Sequence, residues 1–139
     1  MKKFFLFLLG TMVLCACSKT QTEQEIDLSK ISFEAELSCV SDYVSSGTKH
    51  HTILCTGKLG GFNGDVVVCI SPAFSSSIYG SGSKNLTVAG EYTSFSFSFD
   101  VGEDNDYVEN TPQTCDISVT KGTTGYGPTL FKSSVVVNL

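Results

Sequence analysis

The side chains with metal-binding or nucleophilic capacity are few. Inside the chain stand four cysteines, Cys39, Cys55, Cys69 and Cys115, and two adjacent histidines, His50 and His51. The cysteines are separated by 15, 13 and 45 residues. Without a C-x-x-C pair, neither a zinc ribbon nor dithiol redox chemistry is expected, and no metal site is assigned. Neighbouring residues of a strand face opposite sides, so His50 and His51 cannot serve one site and are taken as solvated hairpin residues. Asp100, Glu103, Asp104, Asp106 and Glu109 crowd one stretch but lack the spacing of a calcium loop, so a solvated acidic loop is expected. No nucleophile elbow, H-E-x-x-H, P-loop or dinucleotide fingerprint is present. No catalytic residue and no cofactor are therefore assigned.

Aromatic residues among turn-forming ones are the stronger signal. Phe62 lies in Gly60-Gly61-Phe62-Asn63-Gly64, Tyr79 precedes Gly80, and Tyr126 sits between Gly125 and Gly127. Rigid rings among Gly, Ser and Asn have the composition of recognition loops. With Tyr43 and Tyr107 they form the candidate binding set.

The chain opens with Lys2 and Lys3, then an apolar run from Phe4 to Leu14 broken only by Gly10 and Thr11. Those 11 residues reach about 16 Å as a helix. A bilayer core of about 30 Å is too thick for them, and the run has the form of a signal-peptide core. Leu14-Cys15-Ala16-Cys17 resembles the bacterial lipobox, with Leu three places and a small residue one place before the modified cysteine. The resemblance implies cleavage after residue 16 and a lipid on Cys17, with acylation (palmitate among the expected chains) of the new amine. Two or more acyl chains anchor stably, so the membrane is an expected partner through the N-terminal lipid. Ser18, rather than an Asp, points to the outer membrane of a two-membrane bacterial envelope.

Loss of residues 1–16 would leave 7 lysines against 14 acids, a formal charge of −7, with no arginine. Nucleic-acid binding is excluded on that balance. Residues 17–30 are expected to be the lipidated cysteine and a flexible tether, and residues 31–139 one domain. In an exported chain the four remaining cysteines imply two disulfides. Folding residues 38–56 about Gly47 favours Cys39–Cys55 and Cys69–Cys115, with Cys55–Cys115 as the alternative.

The elements that must position these residues are strands. Ile31, Phe33, Ala35, Leu37 and Cys39 alternate with polar residues, and Phe95, Phe97, Phe99 and Val101 alternate with serines. Further strands fall near 52–59, 65–70, 86–88, 115–120 and 134–139. Seven short strands in one all-β domain predict an antiparallel Greek-key β-sandwich, with a small β-barrel as the alternative. The pattern resembles the immunoglobulin-like sandwich in general architecture, and the Cys55 to Cys115 separation suits that fold's inter-sheet bridge. It departs from that family in having no Trp, and in Gln113 where a tyrosine-corner Tyr would stand.

In such a sandwich the loops bearing Phe62 and Tyr126 share the tether's end. Tyr43, His50, His51 and the acidic loop with Tyr107 share the far end. The expected function is a membrane-anchored, non-enzymatic interaction or surface module with a protein or glycan partner. The alternative is an envelope inhibitor or small-ligand binder. A binder should show a deep apolar pocket, a module an exposed aromatic patch or free strand edge, and an enzyme a titratable cluster in a cleft.

Overall fold

The computed structural model describes residues 25–75, 77–89 and 91–139. The expected signal segment and the expected lipidation site, Cys17, lie outside them. Among the described residues the one helical element is a 3-10 turn, Leu28–Lys30, capped by the Asp27 side chain. Eight strands follow: β1 (Ser32–Ser45), β2 (Thr48–Gly60), β3 (Val66–Phe74), β4 (Ile78–Tyr79), β5 (Lys84–Val88), β6 (Tyr92–Glu103), β7 (Pro112–Lys121) and β8 (Thr129–Asn138).

They form two antiparallel four-stranded sheets, ordered β1-β2-β6-β4 and β5-β3-β7-β8. The sheets pack face to face without closing into a barrel, so the sandwich is the architecture. The count rises from seven to eight because β4 is only two residues long, too short to show a period in sequence. Ile26, within the stretch expected to be tether, packs against the core.

Alternation decides the core. Along β1, Phe33, Ala35, Leu37 and Cys39 are half-buried between exposed residues. Phe95, Phe99 and Val101 of β6 are buried, while Ser94, Ser96 and Ser98 are exposed. With Ile53, Leu59, Val68, Ile70, Ile117 and Val119 they fill the space between the sheets. Fully burying an aliphatic or Phe side chain contributes roughly 1.5–3 kcal/mol, so this layer is the main source of stability.

Two backbone features set the geometry of the far end. Ser46 and Gly47 both have positive φ, 54° and 83°. That is the two-residue hairpin turn whose twist matches the strands it joins. Further along, Val40 and Ser41 both stand opposite Thr52, a β-bulge between the Cys39–Ile53 and Asp42–His51 pairs.

Turn and bulge together overturn the favoured disulfides. The hairpin folds between residues 46 and 47, and the bulge shifts register once more. Cys39 therefore faces Ile53, and Cys55 faces Leu37. Diagonal neighbours two residues out of register stand about 7–8 Å apart, beyond disulfide reach. Cys69 pairs with Thr120, whereas Cys115 pairs with Phe74 five residues along the strand. Five is odd, so Cys69 and Cys115 face opposite sides of their sheet. All four thiols are free. Cys55 and Cys115 both lie in the core, one on each sheet.

Candidate functional site

The expected division into two ends holds. The β2–β3 loop with Phe62 and the β7–β8 loop with Tyr126 flank the start of β3, where the Gly122 amide donates to the Val67 carbonyl. Residues 25–27 lie against the first of these loops. The β1–β2 turn and the β6–β7 loop occupy the opposite end, about 40 Å away along the 13-residue β2.

At the chain-start end the candidates separate. Phe62 is only 7% exposed and belongs to the core, so it offers no surface, a correction to its place in the binding set. Tyr126 is 99% exposed.

The far end gathers the rest. Tyr43 pairs with His50, His50 with Gly102, and Gly102 with Tyr79. One rung thus crosses all four strands of the first sheet on its outer face. The Tyr43 and His50 rings stack, with centroids 5.1 Å apart and planes 11° apart. Tyr79 meets His50 edge-on at 6.3 Å. Gly102 makes this possible, because a Cβ there would run into the Tyr79 ring. Tyr43 and Tyr79 keep 42% and 49% of their surface exposed. Beside the row, Asp100 accepts a hydrogen bond from the Thr52 hydroxyl at 2.7 Å. Burial, then the Asp100 charge, raises the Tyr43 phenol above its ordinary value.

Behind the row, on the inner face, lies a polar cluster that sequence reasoning missed. His51 is fully buried, not solvated. Its Nδ1 is 2.8 Å from Asp42 Oδ1, and its Nε2 is 3.0 Å from Glu103 Oε1. The doubly protonated ring donates to both carboxylates; the neutral ring donates to one. The Cys39 thiol donates to Asp42 Oδ1 at 3.2 Å and lies 4.0 Å from His51 Nδ1. Lys49 Nζ is 3.5 Å from Glu103. The Tyr107 ring stands 6.2 Å from the imidazole, held by its hydroxyl donating to the Leu139 carbonyl.

The bulge assembles this cluster. On an unbroken strand Asp42 would face away from Cys39; the extra residue turns both to the inner face, beside His51. The acidic stretch is likewise divided by strand parity. Glu103 turns in, Asp100 stays out, and Asp104 binds the Asn105 amide.

The electrostatics describe a thiol held as a thiol. Burial, reinforced by Asp42, pushes Cys39 up to about 11. The bond from His51, then that from Cys39, holds Asp42 below the usual carboxylate range. Burial pulls the Lys49 ammonium down, but the Glu103 and Asp42 charges outweigh it and leave it raised. An activated nucleophilic cysteine needs a depressed pKa and a free base, and here Asp42 occupies both partners. The same three donors, Sγ, Oδ1 and Nδ1, lie within 4.8 Å of one another, as metal ligands must. No family model matches this chain, and no curated protein shows significant similarity to it.

Proposed function

We propose that this protein is a lipid-anchored, non-enzymatic interaction module of the bacterial envelope, and that it meets its partner with the outer face of β1-β2-β6-β4 at the far end. The observation that carries this reading is the Tyr43–His50–Tyr79 row. Three rings placed side by side present amphipathic area at little entropic cost, and Asp100 beside them supplies an acceptor. Such a surface suits the planar and hydroxyl-rich faces of a glycan, or a protein edge bearing a cation. The N-terminal lipobox supports anchoring at the opposite end, through Cys17.

The alternative, a small-ligand binder, finds less support. A groove of about 940 Å³ runs between the free edges of β1 and β8, past Phe33, Ala35 and Val135, but it is open and half polar. Cavities that enclose small molecules are deeper and mostly apolar.

Photo-crosslinking in cells tests the module reading. A photoreactive residue is placed at position 43 or 79 of the row, at 126, or at exposed Thr87 on β5 of the other sheet. Discrete adducts from positions 43 and 79 are expected, and those from position 43 should be lost when Gly102→Ala displaces Tyr79. Adducts from position 126 or 87 alone would place the contact elsewhere and end the proposal.

A further inference from the structure

We infer that Cys39, Asp42 and His51 form a binding site for a borderline-soft divalent transition ion, of which zinc is the type. The ligand atoms already stand close to the required triangle. Their separations are 3.2 Å (Sγ to Oδ1), 4.0 Å (Sγ to Nδ1) and 2.8 Å (Oδ1 to Nδ1). A tetrahedral ion with bonds of about 2.3 Å to sulfur and about 2.0 Å to nitrogen and oxygen spaces its ligand atoms about 3.3–3.6 Å apart. Adjustments of about half an ångström convert one into the other.

Two features beyond the triangle point the same way. Glu103 lies 3.0 Å from His51 Nε2, on the side of the ring away from Cys39 and Asp42. A carboxylate accepting from that N–H fixes the tautomer that leaves Nδ1 free to ligate, the usual outer partner of a metal-bound imidazole. Glu103 is itself held by Lys49, so its charge is compensated independently of the ion. The second feature is the Val40–Ser41 bulge, which brings a thiol and a carboxylate three residues apart onto one face of a strand. Bulges that re-aim a side chain in this way concentrate beside functional sites.

Charge and access complete the case. A thiolate and a carboxylate neutralise a doubly charged ion. Binding releases the Cys39 thiol proton, and the Nδ1 proton where the ring carries one, so affinity rises with pH. Thiolate and imidazole donors discriminate against calcium and magnesium. The Asp42 side chain is 51% exposed, so the site opens to solvent on that side. Three protein ligands leave a fourth position for water or for a side chain of a bound partner. This inference stands independently of the aromatic row.

Cobalt(II) is the probe. The full chain is purified in detergent, reduced, stripped with a chelator and titrated with cobalt. About one equivalent, a thiolate-to-cobalt charge-transfer band and displacement by zinc are expected. Cys39→Ser should abolish the band, whereas Cys69→Ser, on the other sheet, should leave it unchanged. Asp42→Asn, at a half-exposed position, should weaken binding at least tenfold, and Glu103→Gln about 10–100-fold. Circular dichroism of the metal-free variants separates lost ligation from lost folding. No band in the native chain, or a band that survives Cys39→Ser, would overturn the site. So would an affinity indifferent to Asp42→Asn in a folded variant.

Discussion

At the scale of single residues, the four inner cysteines are not equivalent. Burial raises Cys55 to about 11 and Cys115 to about 12, and a charge on Cys55 would raise Cys115 further. Both point into the core from opposing sheets, while Cys39 lies beside Asp42 and His51 and Cys69 faces away from Cys115. Refolding in a glutathione redox buffer should therefore yield Cys55–Cys115, with oxidised glutathione accepting the two electrons and both protons lost. Cys39 and Cys69 should remain open to alkylation after unfolding. Peptide mapping without reduction checks this, and a Cys39–Cys55 peptide would contradict the β1–β2 register. A bridge closing so long a loop stabilises by about 4 kcal/mol in the chain-entropy account. It would also leave Cys39 available as a ligand.

At the scale of elements, the bulge separates what the sequence makes legible from what it does not. Phe33, Ala35, Leu37 and Cys39 announce their face by alternation, and so do Phe95, Phe97, Phe99 and Val101, because each strand buries one side only. Asp42 gives no such signal. Its inward direction depends on one surplus residue at Val40–Ser41, and no polar pattern marks where a strand gains a residue. His51 was correctly separated from His50 by parity, but parity is silent about partners, and all of them come from other strands or from beyond the bulge. The spacing of Cys39, Asp42 and His51 around the hairpin is a usable signal only once the bulge is known. Register makes this testable by deletion. Removing Val40 restores plain alternation and keeps Cys39 and Asp42 inward, so the thermal midpoint should change little. Removing Thr56 from β2 instead, where the surplus residue of β1 cannot absorb the loss, turns residues 57–60 to the wrong faces, bringing Leu59 out and Lys58 in. That loss of core contacts costs several kcal/mol, and the thermal midpoint should fall sharply. Equal tolerance of the two deletions would show that the β1–β2 hairpin does not depend on its register.

At the scale of the whole molecule, the two ends of the sandwich carry different features. Residues 25–27 and the Tyr126 loop share one end; the aromatic row and the His51 cluster share the other. If lipid on Cys17 holds the first end toward the bilayer, the second faces solvent about 40 Å further out, where a soluble partner arrives. If residues 1–16 are removed, the remaining formal charge of −7 would oppose any further approach to anionic headgroups, leaving orientation to such an anchor. The absence of native tryptophan makes this measurable with single reporters. Tyr126→Trp and Tyr79→Trp are each incorporated, as lipidated protein, into vesicles containing brominated lipid. Quenching should be clearly stronger for the tryptophan at 126, and the difference should vanish with Cys17→Ser, which removes the anchor. Stronger quenching at 79 would reverse the polarity and set the aromatic row against the membrane. Equal quenching of the lipidated pair would mean that the anchor does not orient the domain, and the row would lose its claim to face an incoming partner.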